Sequence, residues 1–339
     1  MSQSERKGPF RKLWGMVLFI RALVRGVIVL LGGWIVYSRF FVSHRLELTH
    51  ALGGERRTFP ASGLPLSYYV SGSGKPLVLV HSINAAASAY EMKPLYEHFA
   101  ASRRVFALDL PGFGFSPRHD LVYSPGLYTD AIISFLRGVV SPDHGPADVV
   151  ALSLGAEFAA RAASEAPDLF RSLTLISPTG FDGGGDSRGN DTLLRLLSVP
   201  FWSRPLFDLL TTRRSIRWFL DRTFASRPAD ESLVQYAYLT AHQPGAHYAP
   251  YYFISGKLFG DDTELVYNSL SIPVMVLYGK SRFASTRRLS AYKNRGNWSL
   301  VKIERAGEMP HFEQPERVLE VIEAFLNDYA LAGAAHKST

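Results

Sequence analysis

The spacing of hydrophobic residues along this chain changes character twice. Residues 13–37 read LWGMVLFIRALVRGVIVLLGGWIVY, an apolar stretch interrupted only by Arg21 and Arg25. A helix needs about 20 residues to cross the hydrocarbon core of a bilayer, so this stretch is long enough to span one. Beyond it, apolar runs of strand length at 64–70, 77–81, 105–110, 148–152, 173–177, 274–278 and 300–303 alternate with stretches of helical spacing. The helical stretches are 90–101, 128–140, 154–166 and 315–331, the last carrying Val318, Val321, Ile322, Phe325 and Leu326 on one face. Strands alternating with helices predict a mostly parallel sheet covered on both faces.

One segment breaks that rhythm. Residues 181–270 hold no good strand but several helical patches rich in aromatics, among them Phe201, Trp202, Phe207, Trp218, Phe219, Tyr236 and Tyr251. The segment opens at a hinge, Gly183-Gly184-Gly185, and closes before the strand introduced by Ile272-Pro273. It is expected to form a helical cap inserted into an α/β core, and a cap over strand ends walls a ligand pocket. The expected organisation is a basic N-terminus with a transmembrane or signal-anchor helix (1–44), a first core part (45–180), the cap (181–270), a second core part (271–331) and a flexible tail (332–339).

Composition narrows the function. With 47% hydrophobic and 20% charged residues the chain is of ordinary globular composition, which excludes a disordered or collagenous protein. Cysteine is absent, so disulfides, thiolate metal sites and a cysteine nucleophile are excluded. The net charge of +7 resides in residues 1–57, which carry ten basic and three acidic residues. The remainder is neutral overall, which argues against a nucleic-acid partner. Arg21 and Arg25 are four apart and share a helix face, from which they can snorkel to a headgroup layer. Trp14, Trp34 and Tyr37 sit near the ends, where amphipathic rings favour the interface. A single-pass anchor near the N-terminus is the preferred reading over a cleaved signal peptide, because no small-x-small site follows the apolar run. A helix lying on the membrane surface or packing on the body is the alternative. Positive charge ahead of the span favours a cytoplasmic N-terminus and an extracytoplasmic body, a bias blunted by Arg39, Arg45, Arg56 and Arg57.

The candidate chemistry centres on Ser153. Val149-Val150-Ala151-Leu152-Ser153-Leu154-Gly155 reads as strand, sharp turn and helix, with small residues two before and two after the serine, where the backbone crowds itself. Such a turn exposes the serine hydroxyl and aims the Leu154 N–H at a developing oxyanion. With this elbow the chain resembles the α/β-hydrolase superfamily, in its capped branch, over about residues 56–330. Leu77-Val78-Leu79-Val80-His81 followed by Ser82-Ile83 is similar to the family's strand ending in His-Gly. The resemblance implies that this loop supplies a second oxyanion donor, the Ile83 N–H. Asp109-Leu110-Pro111-Gly112-Phe113-Gly114-Phe115-Ser116 is similar to the family's D-x-P-G-x-G-x-S turn. Residues 272–279 match the strand before the usual triad acid, and residues 306–316 the loop of the usual triad histidine. An α/β-hydrolase fold is therefore expected.

The departures from that family bear on activity. Gly279-Lys280-Ser281-Arg282-Phe283 carries no aspartate, and Gly307-Glu308 replaces Gly-His. Ser281 and Glu308 thus mark the two missing triad positions. His311 aligns with a second histidine that many members carry and that is not their base. A serine hydroxyl is a poor nucleophile without a neighbouring base. Three substitutes are open: His311 swinging into the gap, Glu308 acting as base, and Asp182 serving as an alternative acid as in some relatives. His81 reads as structural. His242 and His247 lie in the cap, where nothing in the sequence gives them a role. No cofactor and no metal are expected. Two functions stay open: a hydrolase-derived binder of a small lipophilic ligand with weak or no turnover, and an active serine ester hydrolase with a rewired base. The serine at the elbow argues against chemistries that need a carboxylate nucleophile there.

Overall fold

The computed structural model describes residues 8–61, 63–181, 189–283 and 286–335. The chain opens with the long helix α1 (Gly8–Phe41), followed by β1 (Glu55–Ala61), β2 (Leu64–Ser71), β3 (Pro76–Val80), α2 (Lys93–Phe99), β4 (Arg104–Leu108), α3 (Pro125–Phe135), α4 (Ser141–His144), β5 (Ala147–Leu152), α5 (Leu154–Glu165) and β6 (Phe170–Ile176). Six helices come next: α6 (Asp191–Leu197), α7 (Ser203–Leu210), α8 (Arg213–Thr223), α9 (Glu231–Ala241), α10 (Tyr248–Ile254) and α11 (Thr263–Ser269). The chain then returns to the core with β7 (Val274–Tyr278), β8 (Trp298–Lys302), α12 (Pro310–Glu313) and α13 (Pro315–Ala335).

The eight strands form one sheet in the order β1-β2-β4-β3-β5-β6-β7-β8. β1 pairs antiparallel with β2, and β2 with β4, while every other pair is parallel. This is an α/β-hydrolase fold. The central strands are continuous apolar runs because helices cover both their faces. In β3, Val78 and Val80 pack with Tyr128, Phe135 and Phe158 of α3 and α5. Leu77 and Leu79 face the other way, onto Leu95 and Phe99 of α2 and Val318 and Ile322 of α13.

The elements differ from the sequence reading in several places, among them the start of β6, which lies at Phe170 and not at 173. β1 is an additional strand, hidden in the polar run ERRTFPA; it is an edge strand with mostly exposed residues, which tolerates Pro60. β8 starts at Trp298, two residues before the run at 300–303; Trp298 is buried, while Leu300 and Val301 are half covered at the sheet edge. The 90–101 helix divides into a 3₁₀ turn, Ala89–Met92, and α2, whose start is set by Pro94 in its first turn. The 128–140 helix enters through Ser124-Pro125 as expected, with the Ser124 hydroxyl accepting a hydrogen bond from the Leu127 N–H at 3.2 Å, but its end is a π-helical turn, Leu136–Val140.

α1 is long and apolar enough to cross a membrane over Met16–Phe41. Its described residues from Met16 to Leu31 are exposed, but its C-terminal end packs on α7. The Trp34 indole donates to the Pro205 carbonyl at 2.8 Å, and the Ser38 hydroxyl donates to Asp208 at 2.5 Å. His44 and Arg204 also reach Asp208, at 2.9 and 3.1 Å. The link to β1 then runs along the cap, with Gln243 donating to the Leu46 carbonyl and the Tyr236 hydroxyl to the Thr49 carbonyl.

Candidate active site

β5, a central strand, delivers Ser153 to the C-terminal end of the parallel strands, and α5 begins one residue later. The serine holds φ 53° and ψ −122°, a strained backbone for a non-glycine residue. Its N–H donates to the Ile176 carbonyl of β6 at 2.8 Å, which locks the turn onto the neighbouring strand. The small flanking residues are a steric necessity. A Cβ on Gly155 would lie 2.2 Å from the His81 carbonyl oxygen, and Ala151 is fully buried. The Ser153 hydroxyl has no hydrogen-bond partner among the described residues. The Leu154 N–H, at the start of α5, and the Ile83 N–H, in the loop after β3, likewise have none, although both residues are buried.

A buried carboxylate holds the loop after β3. Glu91 accepts from the Ser82 N–H at 2.9 Å, the Ser82 hydroxyl at 2.7 Å and the Asn84 amide at 2.7 Å. Burial pushes its carboxyl above the usual carboxylate range. The sequence reading missed Glu91. Its signal was Ser82 in place of glycine, since a hydroxyl in a tight buried loop demands an acceptor. His81 is locked at the loop's base: its Nδ1–H donates to the Ser82 carbonyl at 2.6 Å and its Nε2 accepts from the Leu110 N–H at 3.0 Å. Desolvation lowers it to about 4, so it is neutral at physiological pH. Asp109 shapes the adjoining turn by accepting from the Ala89 and Phe115 N–H groups.

The candidate substitutes for a base are engaged elsewhere. His311 is fully buried, and its Nε2–H donates to the Glu91 carbonyl at 2.7 Å. Desolvation lowers it to about 4, and its Nδ1 is unpartnered. Glu308 directs one oxygen, Oε1, at three donors: the Ser281 hydroxyl at 2.5 Å, the Arg282 N–H at 2.7 Å and the Phe283 N–H at 2.9 Å. The fold therefore brings Ser281 and Glu308, the two positions at which the family resemblance leads one to expect a triad acid and histidine, into contact with each other. The Glu308 N–H donates to the Thr223 carbonyl of the cap at 2.6 Å. Gly307 is required beside it, because a Cβ there would meet the same carbonyl at 2.1 Å. Glu313 fastens this junction by accepting from the Gly307, Ala225 and Ser226 N–H groups. Asp182 lies outside the described residues, as does the Gly183–Gly185 hinge. His242 donates through Nδ1 to the Tyr238 carbonyl, and His247 packs on Phe207 and Tyr248.

Two further features frame the site. Glu157, in the first turn of α5, accepts from Thr179 just before the cap and from Thr263 at the start of its last helix, tying both ends of the inserted segment to the elbow helix. An open recess of about 960 Å³ lies where β7 and β8 meet the cap, lined by Tyr278, Lys280, Ser281, Lys302, Arg305 and Gln314 among others; Ser153 and Ile83 are not part of it. Among the described residues no cluster of three His, Asp or Glu is arranged to hold a metal ion.

A serine on a strained strand–helix turn, in a mostly parallel sheet with helices inserted between β6 and β7, defines a capped protein of the serine-elbow α/β class. Residues 77–321 match the model of the alpha/beta hydrolase family, and the chain belongs to that family. It is 30% identical over 126 residues to 2-hydroxymuconate semialdehyde hydrolase of Pseudomonas sp. (strain CF600), covering 37% of this chain and 44% of that one. It is 27% identical over 232 residues to an esterase of Mycobacterium tuberculosis, covering 65% of this chain and 74% of the relative. The chain spans less than half the length of the first curated relatives it matches. Among solved structures, a serine hydrolase involved in carbazole degradation superposes with a TM-score of 0.66 at 19% identity, covering 81% of this chain and 99% of that one. A membrane phospholipase A superposes with a TM-score of 0.64 at 19% identity, covering 94% and 99%. These structural likenesses carry the fold alone.

Proposed function

We propose that this protein is a membrane-anchored member of the hydrolase family that binds a small lipophilic ligand at the Ser153 elbow, with weak or no turnover. The observation that carries this reading is the isolation of the Ser153 hydroxyl, while Glu308 is spent on three donors of the 281–283 loop and His311 on the Glu91 carbonyl. Without a base to take its proton the serine is a weak nucleophile. The unpartnered Ile83 and Leu154 N–H groups are two available donors, suited in this reading to a carbonyl or carboxylate oxygen at the polar end of an otherwise apolar ligand. The aromatic helices of the cap favour such a ligand. α1 is the membrane anchor in this reading, with the N-terminus cytoplasmic and the body on the far side. Trp14 and Trp34 are 20 residues apart, a rise of about 30 Å along a helix, which matches the hydrocarbon thickness with one indole at each interface.

An ester hydrolase with a rewired base is the second reading. The retained elbow strain at Ser153 and the resemblance to an esterase favour it. Fluorophosphonate labelling of the full chain in detergent separates the two. A binder labels at Ser153 no faster than the Ser153→Ala background. A working hydrolase labels rapidly and loses the signal in that variant, since removing a triad base lowers acylation by about 10⁴-fold or more.

A further inference from the structure

Among the described residues outside α1, six of the ten exposed large apolar side chains fall in one stretch, the others being Val122, Ile254, Leu265 and Phe283. Leu196, Phe201, Trp202, Leu209, Trp218 and Phe219 all fall between the end of α6 and the middle of α8. These side chains are 36–58% exposed. The same stretch is basic: Arg195, Arg213, Arg214 and Arg222 are exposed with them, and Arg222 lies 3.7 Å over the Trp218 ring. Its two carboxylates are both occupied. Asp208 is buried among Ser38, His44 and Arg204, and Asp221 accepts from the Ala229 N–H. A face of aromatics and arginines, in which Arg195, Arg213, Arg214 and Arg222 outnumber the exposed acids Asp191 and Asp221, has the composition of an interfacial surface.

The position of α7 says what covers this face. Trp34 and Ser38 belong to the apolar span of α1, and they hydrogen-bond to Pro205 and Asp208. With the span inserted, Trp34 sits at the hydrocarbon–headgroup boundary, so Pro205 is held at that depth. Phe201 and Trp202 immediately precede α7, and Trp202 is bonded back to the Leu196 carbonyl at 2.8 Å. We propose that the outer face of α6, α7 and α8 is a second membrane-contact surface, seated in the headgroup layer of the anionic phospholipid bilayer that holds α1. The cap then opens toward lipid, and a lipophilic ligand reaches the elbow without crossing water. This deepens the anchored-binder reading and rests on α1 spanning the bilayer.

The chain has no cysteine, so single cysteines place one fluorophore each. The full chain carrying Phe219→Cys or Val24→Cys is labelled with an environment-sensitive dye and reconstituted in phosphatidylcholine–phosphatidylglycerol vesicles. The Phe219→Cys dye is expected to be shielded from iodide and quenched about twofold more by a shallow doxyl lipid than by a deep one, with the reverse order at Val24→Cys. Arg214→Glu combined with Arg222→Glu should lower the shallow quenching. A dye at 219 that stays open to iodide and blind to both lipids, while the dye at 24 is quenched, overturns the docking and leaves the anchor standing. If the dye at 24 is also blind to lipid, both fall. Shielding at 219 that grows with protein density and not with doxyl lipid assigns the face to a second copy and overturns the proposal.

Discussion

Glu308→Gln distinguishes a loop clamp from a general base. Three donors converge on the Glu308 Oε1 within 2.9 Å, and the side chain is 8% exposed. A glutamine preserves the shape and presents an amide oxygen to the same donors, but removes the charge. A hydrogen bond to an ionised acceptor contributes about 1.5–3 kcal/mol and one to a neutral acceptor about 0.5–1.5, so each of the three weakens by about 1 kcal/mol. Relief from burying a charge offsets part of that loss, leaving a net destabilisation of about 2 kcal/mol. Urea unfolding of the full chain in detergent, followed by tryptophan fluorescence near neutral pH, reads this as a lower midpoint with an unchanged slope. Fluorophosphonate labelling of Ser153 should change by less than about twofold, because a clamp takes no proton from the serine. A variant within about 0.5 kcal/mol of the parent, or one whose labelling falls by about 100-fold, refutes the clamp and returns Glu308 to the role of base.

Gly155→Ala places a Cβ 2.2 Å from the His81 carbonyl and should cost about 2–3 kcal/mol, read by the same urea titration; a neutral effect would mean the elbow is looser than described. His311 is held neutral by burial at about 4 against an ordinary 6.5, so its folded pKa is depressed. Its contribution is present above the unfolded pKa and is lost as pH falls from 6.5 toward 4, by up to about 3 kcal/mol. Relative to His311→Gln, the parent should therefore lose stability across that window, and parallel pH profiles would contradict this. Asp208→Asn leaves Arg204 without its buried partner and weakens the Ser38 and His44 contacts. It should cost about 3 kcal/mol and expose the 42–54 link to protease at a concentration that spares the parent.

The α/β-hydrolase fold was legible because the central strands and their crossover helices are repetitive. Buried strands such as β3 and β5 must be continuous apolar runs, and the elbow around Ser153 needs small residues at fixed offsets, so both leave marks in a single sequence. β1 left none, since an edge strand is half solvated and its pairing with β2 is stabilised largely by backbone hydrogen bonds, which any residue supplies. The pairs that organise the site were equally silent. Glu91 with Ser82, Glu157 with Thr179 and Thr263, and Glu313 with Gly307 join residues 6 to 106 positions apart, and only the folded chain makes them neighbours.

What the sequence determined by itself was the fold family, the serine at the strand–helix turn and the span-length apolar helix, because each follows from residue type at short range. What tertiary structure decided was how the remaining polar groups are used. Glu308 meets Ser281 and His311 meets the Glu91 carbonyl because loops from distant strand ends converge at one edge of the sheet, where every buried donor and acceptor must find a partner. The end of α1 meets Asp208 for the same reason: a buried carboxylate in the cap is stable only among donors, and three of them come from residues that are remote along the chain or a helical turn away.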